Sequence, residues 1–207
     1  MISCLTVDCR DADDEDLDVL MKNLTKERRS LAMSFTSRSD RVMSAVAGMC
    51  MKYLSERFSA PIVKLSNGKP VFSGADMYLS ISHSGGIVAV AWSDHPVGVD
   101  VQSTDPGFVP NTCFMTDDEV SILKKNGADI MDVWSAKESF LKMTGDGISS
   151  GMERITILTS GGISPPVKDA DITVMHPLEG MVLAICGTGD MEHRTISYRE
   201  LSPESFR

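Results

Sequence analysis

The stretch from Trp134 to Lys142 carries residue types at a spacing that could support acid–base chemistry. Trp134, Glu138 and Lys142 are four residues apart, so a helix would place an indole, a carboxylate and an ammonium along one face. A carboxylate can act as a general base, and an ammonium can stabilise negative charge on a leaving group. The same spacing is also typical of an ordinary ion pair on a solvated helix face, so this stretch alone leaves both interpretations open.

Two further polar residues lie in an upstream region that alternates like β-strands. His83 follows Ser82 at the end of one alternating run, immediately before a pair of glycines, where an imidazole can remain accessible. Asp100 lies between two valines, so its side chain points away from theirs. If the valines are buried, Asp100 faces a cleft. A single histidine is more often structural than functional, and only its context favours a role here.

Three blocks in this order resemble the signature of a known family. They are Ser-His-Ser at 82–84, Gly-x-Asp at 98–100 and Trp-x-x-Lys-Glu-x-x-x-Lys at 134–142. The set resembles the 4'-phosphopantetheinyl transferases, in particular the larger type typified by the surfactin-synthetase-activating enzyme. The resemblance implies an α+β fold of two similar lobes, a pseudo-duplication with the active site at the interface. On that basis we expect an N-terminal lobe at 1–95 and a C-terminal lobe at 96–207.

The resemblance implies transfer of 4'-phosphopantetheine from coenzyme A to a serine of an apo acyl or peptidyl carrier protein, which releases 3',5'-ADP. It implies Mg²⁺ ligands at Asp100 and Glu138, with Glu138 also the base and Lys142 offsetting charge on the leaving group. We expect Glu138 to be an exposed carboxylate in the cleft. Gln102 stands where the family usually has a further carboxylate, so we expect it to ligate the metal directly or through water, and more weakly.

The resemblance also implies a set of residues that contact coenzyme A. These are Arg28, Arg41, Lys69, Pro70, Ser82 and His83. The chain departs from the family pattern at Leu31, where a second lysine would be expected. Together with Gln102, this departure motivates an alternative, a coenzyme-A-binding relative that no longer transfers.

The segment from Thr116 to Glu119 has two interpretations. A threonine followed three residues later by a glutamate is the pattern of a capping box, which predicts the start of a helix that ends near Gly127. The segment from Phe114 to Glu119 also resembles a Phe-x-x-x-x-Glu stretch of the family. The capping interpretation requires no catalytic role for Glu119.

The composition sets limits on the class of protein. The 207 residues suffice for one compact unit, and a net charge of −9 argues against a nucleic-acid partner. No run approaches the ~20 apolar residues of a membrane helix. An acidic N-terminal region lacks the pattern of a secretory signal, and five scattered cysteines without a C-x-x-C pair favour reduced thiols. We therefore expect a cytoplasmic protein, and a monomer because one chain would complete the cleft.

The periodicity predicts the order of secondary-structure elements. A strand at 2–7 precedes three helices, and a short strand at 62–65 meets an Asn-Gly turn. Residues 78–101 are predicted to form an antiparallel meander of three strands. Two helices follow, at 116–126 and 129–144, and then strands at 155–158, 172–174, 182–186 and 195–198.

Overall fold

The computed structural model describes residues 1–104, 110–146 and 151–206, which form a mixed α+β fold. The helices are α1 (Asp14–Lys22), α2 (Lys26–Met33), α3 (Arg38–Phe58), α4 (Asp117–Asn126) and α5 (Ile130–Thr144). The strands are β1 (Ile2–Asp8), β2 (Ile62–Lys64), β3 (Pro70–Phe72), β4 (Tyr78–Ser84), β5 (Ile87–Ser93), β6 (Val97–Ser103), β7 (Leu158–Thr159), β8 (Gly162–Ile163), β9 (Asp171–Met175), β10 (Met181–Gly187) and β11 (Met191–Ser197). The predicted α+β class is confirmed. No helix within these ranges combines the length and apolar composition that crossing a bilayer requires.

Two larger sheets and two short hairpins contain the strands of the described chain. One sheet has the order β11-β1-β5-β4 and the other has the order β6-β10-β9. The predicted three-strand meander is therefore wrong in its last strand, because β6 pairs with β10 and not with β5. The reason is that β1 and β4 already occupy both edges of β5. The chain consequently crosses to a second sheet after the turn that contains Pro96.

Strand β5 is buried on both of its faces. One face comprises Val88, Val90 and Trp92, and the other comprises Ile87, Ala89 and Ala91. The first face packs against α3, and the second packs against the sheet that contains β6. This burial explains why residues 87–92 read as a continuous apolar run rather than as an alternating one.

The end of the described chain returns to the first sheet. Strand β11 pairs in parallel with β1, with Ile2 opposite Met191 and Asp8 opposite Ser197. Tyr198 then joins the apolar core around α3. The chain therefore crosses twice between the two sheets, and the expected division into lobes at 1–95 and 96–207 stays a prediction.

Serine side chains join strand β4 to strand β6 across the boundary between the two sheets. The Ser80 hydroxyl accepts a hydrogen bond of 3.0 Å from the backbone amide of Val99. The Ser84 hydroxyl accepts one of 3.0 Å from the amide of Ser103. These side chains take the place of a backbone ladder and satisfy amides that would otherwise be buried without partners. The boundary is thus a polar seam inside a largely apolar structure.

Helix α5 lies directly against the backbone of β6 at Gly98. A Cβ atom at this position would lie 1.8 Å from the carbonyl oxygen of Ser139 and 2.5 Å from the amide nitrogen of Met143. Both are backbone atoms of α5, so no side-chain rotation could relieve the contact. The glycine of the Gly-x-Asp block therefore sets the distance between the helix and the strand.

We predict that Gly98→Ala destabilises the fold by about 3 kcal/mol, because the added methyl group forces α5 away from β6. Urea unfolding monitored by circular dichroism measures the change. Gly161→Ala is the control, since the nearest atom to its added carbon is 3.6 Å away, and it should change stability by less than about 0.5 kcal/mol. Equal stabilities for the two variants would contradict this account of the helix–strand contact.

Candidate active site

The Lys142 ammonium joins α5 to two residues of the serine seam. It donates a hydrogen bond of 2.6 Å to Asp100 Oδ1 and one of 2.9 Å to the hydroxyl of Ser82. Ser82 in turn donates to Asp100 Oδ1 at 2.9 Å. Asp100 is 2% exposed. Three elements, β4, β6 and α5, thus each contribute one polar side chain to a single buried cluster.

The alternation predicted for β6 is present in the structure. Val99 and Val101 are fully buried in the apolar core between the sheets. Asp100, on the other face, contacts Ser82 and Lys142. Its carboxylate is more enclosed than the cleft-facing position that the sequence suggested.

Glu138 lies one turn before Lys142 on α5, and its Oε2 is 3.6 Å from the Lys142 ammonium. We expected an exposed carboxylate, and this expectation is wrong because Glu138 is only 9% exposed. Burial raises the pKa of Glu138 to about 7, with a further contribution from the negative charge of Asp100. Lys142 opposes this increase in pKa without cancelling it. Glu138 is therefore a carboxylate that can exchange a proton near neutral pH.

One oxygen of Asp100 receives no hydrogen bond from a donor among the described residues. Lys142 and Ser82 both contact Oδ1, while Oδ2 is buried and unsatisfied among the described residues. Gln102 lies two residues further along β6 and therefore on the same face of the strand as Asp100. Two carboxylates and an amide are hard oxygen donors that suit Mg²⁺ with several retained waters. The described ranges contain no cluster of three or more His, Cys, Asp or Glu side chains that could hold a metal.

His83 and Arg28 lie close enough to share an electrostatic environment, although β4 carries one and α2 the other. The pKa of the exposed His83 is lowered, first by partial loss of hydration and then by the positive charge of Lys142, with a smaller effect from Arg28. Arg28 crosses α3 at Gly48, where a Cβ atom would lie 2.8 Å from its Nε. Its Nη2 donates to the carbonyl of Ser44 at 2.5 Å. The positive charges of Arg28 and Lys142 thus both act on His83.

Two residues of the N-terminal helices have a different environment. Arg41 donates from Nε to the carbonyl of Phe35 at 2.8 Å, and this bond holds the connection between α2 and α3. Leu31, where the family pattern has a lysine, is 38% exposed. No hydrogen bond among the described residues joins Arg41 to the cluster around Lys142.

Lys69 and Pro70 line a cavity of about 650 Å³ beside α5. The other residues that line it are Asn67, Gly68, Ser80, Ile81, Leu141, Lys142, Gly145 and Asp146. The Lys69 ammonium donates to the carbonyls of Lys142 and Met143, at 2.6 and 3.3 Å. The cavity therefore has Lys142 on one side and the connection between β2 and β3 on the other.

A buried ion pair fixes a second face of α5. Lys137 and Glu119 are both fully buried, and the ammonium is 2.6 Å from Oε2 of the carboxylate. The ammonium also donates to the carbonyls of Phe114 and Met152, at 3.0 and 3.1 Å. Every donor of the lysine is therefore satisfied, as a buried charge requires.

Glu119 joins three segments of the second half. Its Oε1 accepts hydrogen bonds from the amides of Ile157 and Leu158, and its Oε2 accepts one from the amide of Thr116. Burial alone would raise the pKa of Glu119, but the bonds from Lys137 and these amides hold the pKa below its ordinary value. The capping box that the sequence predicted is confirmed.

Lys137 belongs to the block at 134–142, but the sequence analysis assigned no role to it. A signal was present, because Lys137 lies four residues after Val133 and three before Phe140, and both of these neighbours on the helix face are apolar. A lysine on an apolar helix stripe requires a buried partner, and Glu119 at the start of the preceding helix provides it.

We predict that the metal-free protein loses stability as the pH rises through the pKa of Glu138. This pKa is above its ordinary value, so the group contributes stability below about pH 4.5, and the contribution is lost as the pH rises through about 7. Between pH 5 and 8 the wild type should lose about 2 kcal/mol more than Glu138→Gln. Chemical denaturation in the presence of a chelator measures this difference.

The matched control is Glu153→Gln, which changes a carboxylate that is half exposed. It should follow the wild-type pH profile. Identical profiles for the wild type and Glu138→Gln would show that Glu138 ionises normally in the folded chain.

Comparison with known proteins points to the same family as the sequence motifs. Residues 96–186, which include β6 and α5, match the 4'-phosphopantetheinyl transferase superfamily. The chain is 29% identical over 143 residues to 4'-phosphopantetheinyl transferase psf-1 of Bacillus pumilus, an alignment that covers 63% of this chain and 61% of that protein.

Two further relatives have names of the same kind. The chain is 27% identical to 4'-phosphopantetheinyl transferase Sfp of Bacillus subtilis (strain 168), over 65% of this chain and 67% of that protein. It is 26% identical to 4'-phosphopantetheinyl transferase gsp of Aneurinibacillus migulanus, over 81% of this chain and 77% of that protein. Residues 96–186 thus match the 4'-phosphopantetheinyl transferase superfamily, and the motifs and these relatives make the chain similar to the Sfp-like type of that superfamily.

Proposed function

We propose that this protein transfers 4'-phosphopantetheine from coenzyme A to a serine hydroxyl of an apo acyl or peptidyl carrier protein and releases 3',5'-ADP. The observation that carries the proposal is the cluster of Asp100, Glu138 and Lys142. Two carboxylates and an ammonium converge from β6 and α5, beside a cavity that can receive an extended ligand. A protein that only bound coenzyme A would not need a base aligned with a cation.

We place the reaction in the groove between residues 1–95 and 96–207, as two similar lobes would require. Support comes from the seam, where Ser82 of the first segment contacts Asp100 and Lys142 of the second. Substrate bound along this seam would contact both segments at once.

Asp100 Oδ2 and the Glu138 carboxylate are the residues that would hold Mg²⁺, with Gln102 as a third oxygen donor on the same face of β6. When bound, the metal would neutralise charge on the pyrophosphate of coenzyme A. Ser82 fixes Asp100 through Oδ1, so Oδ2 remains available to a ligand. Gln102 supplies an oxygen without a charge.

Glu138 would accept the proton of the carrier serine, directly or through a water. A pKa of about 7 suits this role, because a base near the working pH combines the correct protonation state with sufficient driving force. Lys142 would place its ammonium against the phosphate oxygen that departs with 3',5'-ADP. Both residues lie on one rigid helix, so their relative positions are fixed before substrate binds.

The first half of the chain would bind the nucleotide end of coenzyme A. Arg28 and His83 would contact phosphate groups, and the connection that contains Lys69 and Pro70 would lie against the adenine. Arg41, which is held by Phe35, would contribute longer-range positive charge. Ser82 would act through Asp100 and Lys142 rather than through the cofactor.

The protein would act as a cytoplasmic monomer. The cluster and the cavity both come from one chain. Cys4, Cys9, Cys50 and Cys186 are buried free thiols, which is the state expected in a reducing compartment.

The proposed reaction is tested by incubation with coenzyme A, Mg²⁺ and several apo carrier domains, with the carrier mass measured by mass spectrometry. We expect the carrier to gain phosphopantetheine. Glu138→Gln should reduce turnover by about 100-fold or more, since it removes the base. Coenzyme A binding without mass gain on any carrier would instead support a binding protein without transferase activity, the alternative that Gln102 and Leu31 suggest.

Substitution of Gln102 gives an independent test of the metal site. We predict that Gln102→Glu lowers the Mg²⁺ concentration required for half-maximal activity by about tenfold, because it adds a negative oxygen ligand beside Asp100. A Mg²⁺ titration at saturating coenzyme A measures the change. An unchanged or higher requirement would show that residue 102 does not contribute to metal binding.

A further inference from the structure

The connection between β2 and β3 forms a small, internally closed turn, here called the hairpin tip (residues 65–69). The Leu65 amide donates to the carbonyl of Lys69, and the Gly68 amide donates back to the carbonyl of Leu65, both at 2.9 Å. The Asn67 side-chain oxygen accepts from the Lys69 amide at 3.1 Å. Gly68 has a φ of +84°, which glycine adopts without strain. The tip therefore presents the side chains of Asn67 and Lys69 in a defined geometry.

The C-terminal turn of α5 leaves carbonyl groups without helical partners. The helix ends at Thr144, because Gly145 has a φ of +85° that stops the chain from continuing as a helix. The Gly145 amide donates a hydrogen bond of 2.9 Å to the carbonyl of Leu141. Carbonyls in the last turn of any helix need partners from outside the helix. The negative end of the helix dipole also favours a cation at this position.

The hairpin tip supplies those partners from more than 70 residues away in sequence. The Lys69 ammonium donates to the carbonyls of Lys142 and Met143. The Asn67 amide donates to the carbonyl of Gly145 at 3.3 Å. A Cβ atom added at Gly145 would lie 3.5 Å from the Lys69 Nζ, so the ammonium covers the end of the helix. Three carbonyls of one helix end are thus satisfied by two side chains of one turn.

These contacts lie on the same residue, Lys142, that the proposed transfer reaction uses. The shortest of them, 2.6 Å, is to the carbonyl of Lys142, whose own ammonium contacts Asp100. Lys69 is half-buried, so its hydrogen bonds compete little with solvent. Displacement of this turn would move the Lys142 side chain relative to Asp100 and Glu138.

We propose that Lys69, assisted by Asn67, is a positioning residue that clamps the C-terminal turn of α5 and thereby holds Lys142 in place for the transfer reaction. The inference rests on the proposed function for its kinetic consequence but not for the clamp itself. It changes the role of Lys69, because the ammonium holds the protein's own helix, while the neighbouring Gly68 and Pro70 line the cavity. The hairpin tip, which lines the cofactor cavity, and helix α5 are then held rigidly together.

The first experiment measures the clamp without reference to activity. Hydrogen–deuterium exchange of the peptide that covers residues 141–146 is compared between the wild type and Lys69→Met. The variant retains side-chain length and loses the donor, so we expect exchange in this turn to accelerate about tenfold, as the loss of charge-assisted hydrogen bonds implies. Lys64→Met, at an exposed lysine on the same hairpin, should leave exchange unchanged.

The second experiment separates positioning from cofactor contact. Lys69→Met should reduce kcat about tenfold and change KM for coenzyme A less than about threefold, whereas loss of a direct contact would mainly raise KM. Lys69→Arg, which can still donate to carbonyls, should recover most of the rate. Asn67→Ala should show a smaller change in the same direction, and it replaces Lys69→Met if that variant does not fold.

Two results would overturn the proposal. Unchanged exchange in residues 141–146 of Lys69→Met would show that the clamp does not hold the turn. An increased KM with normal kcat would show that the ammonium serves coenzyme A. If the wild type transfers nothing to any carrier, the proposed function fails, while the exchange experiment still decides whether the clamp exists.

Discussion

The site depends on the neutralisation of Asp100 at the seam between the two sheets. A carboxylate that is 2% exposed is strongly destabilising unless it is paired and hydrogen-bonded. Lys142 and Ser82 meet this requirement together, but both contact the same oxygen. The remaining oxygen and the nearby Glu138 leave one more negative group than the cluster has cations. The raised pKa of Glu138 results first from its burial and then from this excess of negative charge, and a bound cation would lower the pKa.

This constraint explains why α5 must lie so close to β6. The Lys142 ammonium is 2.6 Å from Asp100 only because Gly98 lets the helix contact the strand backbone. Strand β6 can carry Asp100 at this position because it belongs to a separate sheet, joined to β4 by serine hydroxyls. If β4 and β6 belonged to one continuous sheet, backbone hydrogen bonds between them would fill the seam. The break in pairing therefore creates the space in which polar side chains from three elements meet.

Local patterns in the sequence predicted most of the elements, and the resemblance to the family named the members of the cluster. The capping box at Thr116, the helix through Glu138 and the alternation around Asp100 all depend on residues close in sequence. The pairing of β6 within the second sheet could not be predicted in this way, because it depends on β1 already occupying the other edge of β5. The burial of Glu138 was missed for a related reason, since it results from packing against distant strands. Lys69 was assigned by resemblance, and only the three-dimensional contact shows where its ammonium lies.

Helix geometry gives neighbouring residues of α5 different roles, one structural and one chemical. Lys137 and Glu138 are adjacent, yet about 100° of rotation directs one towards Glu119 in the interior and the other towards Lys142 at the seam. The two lysines on this helix are therefore not equivalent. All three N–H donors of the Lys137 ammonium are bonded to protein acceptors. The side chain of Lys142 is 28% exposed, so its ammonium can change partners when substrate binds. The buried pair of Lys137 and Glu119 therefore holds the helix in place while the Lys142 ammonium changes its partners.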